Sequence, residues 1–135
     1  MFDKTHINDD AFVYYASLAR LKTFVEQHYA EPLPLAKAAR IVGLERTYFS
    51  RFFHEKTGVR YRDWLAWTRV GHALDVLVSR NVSITEAAFS VGFQDLRTFE
   101  RACEKCTGSS PRQIRNQARS ALRTDANAAA ANPNK

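Results

Sequence analysis

Apolar positions recur every three or four residues along most of this chain, the spacing that stacks side chains on one face of a helix. From Ala11 to Ala30 the set Phe12, Tyr15, Leu18, Leu21, Val25 and Tyr29 predicts one amphipathic helix ending before Glu31-Pro32-Leu33-Pro34. Pro34 is expected in the first turn of a short helix carrying Leu35, Ala38, Ala39 and Val42, closed by Gly43 as a left-handed stop. A second short helix is predicted from near Glu45 to Thr57-Gly58. A longer one follows from Tyr61 to Leu77, with Trp64, Leu65, Thr68, Ala73, Leu74 and Leu77 in register. At about 1.5 Å per residue it is a rod of roughly 25 Å. No segment alternates as a strand does, so the predicted class is all-α.

The pattern then repeats. Leu35-Ala-x-Ala38-Ala39-x-x-Val42-Gly43, Phe49-x-Arg51 and Thr57-Gly58 return as Ile84-x-x-Ala87-Ala88-x-x-Val91-Gly92, Phe99-x-Arg101 and Thr107-Gly108. The offset is 49 residues at Gly43/Gly92 and 50 at Gly58/Gly108, so one residue is inserted just after the glycine. Two copies make a duplicated supersecondary unit, since a solenoid needs at least three. Ser83 followed by Glu86 is a capping-box signature for the second copy. After Gly108, Ser109-Ser110-Pro111 starts a short helix carrying Ile114. From Arg119 onward the chain is rich in Ala and Asn, has Leu122 as its one large apolar residue and Pro133 near its end, and is expected to be a disordered tail. The expected organisation is an N-terminal tail and amphipathic helix (1–30), a first helix-turn-helix subdomain (31–60), a linker helix (61–79), a second subdomain (80–118) and the tail (119–135). About seven helices result, the first of them additional to the repeat.

A short helix, a glycine turn and a second helix with its own apolar face form the helix-turn-helix plan, in which the second helix enters the DNA major groove. In the first copy Phe49, Phe52 and Phe53 form the inward stripe and leave Arg46, Thr47, Ser50, Arg51 and His54 outward. In the second, Phe99, Ala102, Cys103 and Cys106 face inward and leave Arg97, Arg101 and Lys105 stacked at four-residue intervals. Arg bridges guanine O6 and N7, and Ser or Thr reaches a thymine methyl or a phosphate.

Charge agrees with a polyanionic partner. The 135 residues carry 20 Lys+Arg against 14 Asp+Glu, for a net charge of +6, and 45% hydrophobic content is enough for a compact core. Fourteen bases and nine acids fall between residues 31 and 118, so most of the excess lies in the duplicated region. No run approaches the roughly 18 apolar residues of a membrane span. The start, Met1-Phe-Asp-Lys-Thr-His6, lacks the apolar core of a signal peptide. A cytoplasmic protein without a membrane partner is expected, and two cysteines suit a reducing compartment.

Residues 33 to 115 resemble the DNA-binding region of AraC/XylS-type transcription regulators. The resemblance rests on Gly92-Phe93, Phe99-Glu-Arg101, Gly108-Ser-Ser110-Pro111-Arg-Gln-Ile-Arg115 and, in the linker, Arg69-Val-Gly-His-Ala73. It covers about 60% of the chain. It implies two helix-turn-helix subdomains on a linker helix, with recognition helices in successive major grooves on one DNA face about 34 Å apart. Carried over residue by residue, the DNA-contacting positions are Arg46, Thr47, Ser50 and Arg51 in the first copy. In the second they are Leu96, Arg97, Thr98, Glu100 and Arg101. Two positions depart from the family pattern: Cys103 replaces an aromatic, and Glu100 replaces a small polar residue. A loosened second core and weaker or cytosine-biased reading by the second copy are the expected consequences.

Other chemistries are poorly supported. Cys103-Glu-Lys-Cys106 lies on an apolar helix stripe, and His6, His28, His54 and His72 lack zinc-type spacing, so neither a redox switch nor a metal site is expected. There is no phosphate loop, nucleophile elbow or carboxylate cluster, so the chain is read as a non-enzyme without cofactors. Trp64 and Trp67 are expected to pack between the subdomains, and Arg69 to make a structural pair or a phosphate contact. Some 30 residues before the repeat and 20 after it hold no effector pocket of about 300 Å³ or more. If complete, the chain resembles short stand-alone members that bind double-stranded DNA as monomers. The alternative is a protein-interaction module that binds RNA polymerase or another regulator.

Overall fold

A computed structural model describes residues 7–130, with side chains described as far as Thr124. Met1 to His6 lie outside the described residues, as does Pro133. Eight helices and no strand are found among the described residues: α1 (Ala11–Tyr14), α2 (Ala16–His28), α3 (Leu35–Val42), α4 (Arg46–Thr57), α5 (Tyr61–Ser79), α6 (Ile84–Ser90), α7 (Leu96–Thr107) and α8 (Pro111–Ala130).

The expected single N-terminal helix is broken in two. Tyr15 leaves the helical region (φ −96°, ψ 114°), which re-aims α1. Phe12 then stacks on Trp64 with ring centroids 5.2 Å apart and meets Phe53 edge-on at 5.9 Å. The chain just before α1 is tied to the end of α4, where Asn8 N donates to Thr57 O at 2.7 Å. Trp64 is therefore a member of the first core, beneath α1, and does not bridge the subdomains as expected. Pro34 takes the N-cap position of α3 rather than its first turn.

Two apolar cores divide the molecule. The first joins Phe12, Leu18, Leu21, Val25, Ala38, Phe49, Phe53, Tyr61 and Trp64, drawn from α1 to α5. The second joins Val70, Ala73, Leu77, Ala87, Ala88, Val91, Phe93, Phe99 and Cys103, drawn from α5 to α7, with Ile114 of α8 against it. Helix α5 thus supplies its first half to one core and its second half to the other. A long helix precedes each short pair and another follows it, so α2 stands to α3 and α4 as α5 stands to α6 and α7.

The turn chemistry is duplicated atom for atom. Gly43 adopts φ +75° and Gly92 φ +105°, and in both turns the next residue closes back on the helix, Leu44 N to Ala39 O (3.0 Å) and Phe93 N to Ala88 O (3.1 Å). From each glycine to the next N-cap, Glu45 or Asp95, the second copy is one residue longer, which locates the insertion. At the far ends Thr57 Oγ1 donates to Phe53 O (2.7 Å) and Thr107 Oγ1 to Cys103 O (2.7 Å), each hydroxyl also accepting from the N–H two residues on.

The C-terminal expectation is corrected. Helix α8 continues through residues 119–130, where a disordered tail was predicted. Alanine is the strongest helix former and no proline intervenes before Pro133, so local propensity favours extending the helix. Residues 131–135 lie outside the described residues.

Candidate nucleic-acid interface

The first copy's outer face is built on α4. Phe49 and Phe53 are fully buried, which fixes the helix's rotation and turns Arg46, Thr47, Ser50 and Arg51 outward, all exposed. These four line one cavity of about 370 Å³ together with Leu35, His54 and Arg60. The four predicted positions are thus brought together, and Arg60, from the N-cap of α5, joins them.

The tip of α4 is already satisfied by its own chain. Both carboxylate oxygens of Glu45 accept backbone N–H bonds at 2.9 Å, from Thr47 and Tyr48. These bonds hold the Glu45 carboxyl below its usual range. In α7 Asp95 accepts from Thr98 N at 2.7 Å and from Thr98 Oγ1 at 3.0 Å, and the same contacts lower its carboxyl pKa. Thr47 N, Tyr48 N and Thr98 N, three of the amides that could receive phosphate at these helix starts, are therefore already engaged.

The second copy's predicted positions divide between two grooves. Leu96, half-buried against the second core, and exposed Glu100 line a cavity of about 570 Å³ with Ser83, Thr85, Ser110, Arg112 and Arg115. Thr98 and Arg101 line another, of about 670 Å³, with Arg60, Arg62, Asp63 and Lys105. Arg97 is exposed and lines neither. Lys105 is drawn toward the linker, its Nζ donating to Asp63 Oδ1 at 3.4 Å. Arg60 borders both the α4 cavity and the Thr98/Arg101 cavity, so it lies between the first outer face and the Thr98/Arg101 part of the second. The repeat hid this residue, because its counterpart 50 positions on is Ser110, a neutral cap that exchanges hydrogen bonds with Gln113.

Arg69 is structural. Its Nε donates to Tyr29 O at 2.7 Å and its Nη2 to Glu31 O at 2.8 Å, tying the end of α2 to the linker. Gly92 packs into the same junction, where an added Cβ would lie 3.0 Å from Tyr29 O, Ala30 O and Arg69 Nε. Tyr29 also stacks on His72 at 3.9 Å. The first unit, the linker and the second turn therefore meet at one polar joint.

The two thiols are packing groups in this setting. Burial pushes the Cys106 thiol up to about 12 and raises that of Cys103 as well, so neither is a thiolate at neutral pH. Among the described residues no group of three or more His, Cys, Asp and Glu side chains is placed to hold a metal, and no helix is long and apolar enough to cross a membrane.

The family model described as a helix-turn-helix domain matches residues 38–117, from α3 to the first turns of α8. The chain belongs to the AraC-type helix-turn-helix family of DNA-binding transcription regulators. A relative, the uncharacterized HTH-type transcriptional regulator YobQ of Bacillus subtilis (strain 168), is 34% identical over 102 residues, covering 76% of this chain and 41% of that protein. A further HTH-type regulator, from Staphylococcus aureus (strain MSSA476), is 32% identical over 92 residues, covering 68% of this chain and 12% of that protein. The match therefore spans about two fifths of the length of the first and about an eighth of the second. Among solved structures, the DNA-binding domain of the global transcriptional factor AdpA in complex with a target DNA has a TM-score of 0.72 and 27% identity. It covers 77% of this chain and 94% of its own. The C-terminal domain of AraT, a response regulator from Geobacillus stearothermophilus, has a TM-score of 0.70 at 26% identity, covering 76% and 86%. The family and the relatives matched here are described as transcription regulators.

Proposed function

We propose that this AraC-type chain binds double-stranded DNA in a sequence-specific way, as a monomer, by placing α4 and α7 in successive major grooves on one face of the duplex. The observation that carries the reading is Arg60, which lines the α4 cavity and also the Thr98/Arg101 cavity, so that one cation borders both the first outer face and part of the second. The related AdpA domain, solved on a target DNA, supports it.

In this reading Arg46, Thr47, Ser50 and Arg51 address bases and phosphates in the first groove, and Leu96, Arg97, Thr98, Glu100 and Arg101 in the second. Arg60 adds a phosphate contact between them. The Thr98 hydroxyl, already donating to Asp95, keeps its methyl and its acceptor capacity for DNA. Four exposed cations, Arg46, Arg51, Arg97 and Arg101, supply most of the counterion release.

Selection of bound sites from random duplex DNA, followed by a salt titration on the winner, tests this. An asymmetric site with two boxes one helical turn apart is expected, with a log-log salt slope near −5 for about six phosphates. A palindrome would replace the monomer by a dimer. A shallow slope without base preference would overturn the reading in favour of a module that docks on RNA polymerase or another regulator.

A further inference from the structure

The matched family region stops at residue 117, yet α8 runs on to Ala130. Between Pro111 and Thr124 the helix carries four arginines, Arg112, Arg115, Arg119 and Arg123, and no acidic residue. Successive residues turn by about 100° around a helix, so these four fall within an arc of about 80°. Their side chains form one cationic row.

The row begins at the second outer face. Arg112 and Arg115 share a cavity with Leu96 and Glu100 of α7 and with the hydroxyls of Ser83, Thr85 and Ser110. It ends free of the body, since residues 119–124 are all exposed. No ion pair engages any of the four among the described residues. Arg115 alone is anchored, donating from Nη1 to Val82 O at 3.4 Å while its buried Nε lacks an acceptor. Helix α8 is capped by its own box, Gln113 N to Ser110 Oγ (3.1 Å) and Ser110 N to Gln113 Oε1 (2.8 Å). An anion along this helix is therefore held by side chains rather than by the helix tip.

We infer that the α8 arginine row is a third DNA-contacting element, which grips the phosphate backbone on the flank outside the second major-groove site. The inference rests on the DNA-binding reading above and extends it past the family's matched region. A row of point charges along a rod of about 16 Å from Arg112 to Arg123 suits a phosphodiester backbone, whose charges repeat without regard to sequence. Arg119 and Arg123 touch no core, so they add affinity without adding base preference.

The test uses the full chain and its selected site, as a short duplex ending at the second box and as a longer one carrying ten further base pairs. The variant is Arg119→Gln/Arg123→Gln, with Arg119→Lys/Arg123→Lys as the charge-preserving control and circular dichroism to compare helix content. Wild type is expected to bind the longer duplex on the order of tenfold more tightly than the short one. The glutamine variant is expected to lose that gain and to show a salt slope shallower by about 2, with base preference unchanged and the lysine variant close to wild type. Equal binding of both duplexes by wild type, or the same loss on both duplexes in the glutamine variant, overturns the inference. If Arg46→Ala weakens binding while Arg119→Gln/Arg123→Gln does not, the DNA-binding reading stands and this one falls. A wild type without preference for any duplex removes both.

Discussion

The two units share a backbone scheme and differ in what fills it. Both place a positive-φ glycine between their helices and a threonine hydroxyl over the last turn of the outer helix. Inside, the first unit packs the Phe53 ring against Phe12, Phe49, Tyr61 and Trp64, with centroids 5.4 to 5.9 Å apart. The second puts Cys103 at the equivalent place, with Phe93 against Phe99 as its aromatic pair. Outside, Ser50 in one corresponds to Glu100 in the other. Turn and cap geometry tolerate little variation because the backbone must close, whereas core filling and outer-face chemistry are free to diverge.

Removing the central side chain of each core should break the comparison most sharply. Phe53→Ala empties a fully buried aromatic site and is expected to cost about 3–5 kcal/mol. Cys103→Ala removes one buried sulfur and its 3.4 Å contact to Ser109 O, for about 1–2 kcal/mol. Urea unfolding of both variants checks this; equal losses would mean that the two cores are equally filled. Next in size are the turn glycines. Gly43→Ala meets no heavy atom within 4 Å, and its cost is the left-handed backbone alone, about 1 kcal/mol. Gly92→Ala has that cost plus crowding against Tyr29 O, Ala30 O and Arg69 Nε, so it should be less stable than Gly43→Ala in the same assay. A milder effect at Gly92 would show that the joint yields.

Much of this was legible in the chain itself. Paired glycines, Phe-x-Arg and Thr-Gly expose the duplication because each serves a local backbone need, and the Phe49/Phe53 stripe fixes which side of α4 faces out. The break at Tyr15 was not legible. Phe12, Tyr15 and Leu18 keep a perfect helical spacing, and the kink follows from Phe12 reaching Trp64, 52 positions away in sequence. Arg60 was missed because repeat symmetry points to Ser110, and the α8 extension because composition and helix propensity pull in opposite directions over an Ala-rich segment. Only Ser83's half of the predicted capping box is seen, its Oγ accepting from Glu86 N at 3.0 Å.

Glu100 sharpens the comparison on the DNA side. A carboxylate in a groove shared with Arg112 and Arg115 accepts from cytosine N4 and is repelled by phosphate. Glu100→Ser is expected to tighten overall binding and relax preference at one base pair of the second box, by about 1 kcal/mol, leaving the first box unchanged. Site selection on this variant checks it. Unchanged affinity and preference would remove Glu100 from the reading face.

The smallest effect lies in the two caps. Glu45 and Asp95 are held below their ordinary values, 4.5 and 3.8, mainly by backbone N–H donors, from Thr47 and from Thr98 respectively. A carboxyl whose folded pKa is depressed contributes stability that is full above its unfolded value and is lost as pH falls through the folded one. Both caps should therefore hold at pH 7 and fail progressively below about pH 4. The two differ in how a neutral side chain can replace them. Asn is a good N-cap, so Asp95→Asn should keep the neutral-pH stability of α7 while removing its share of the acid sensitivity. Gln caps poorly, so Glu45→Gln should weaken α4 at pH 7 as well. Thermal unfolding of the single and double variants between pH 7 and pH 2.5 separates these outcomes. An acid transition as steep in the double variant as in wild type would assign the acid sensitivity to other carboxylates.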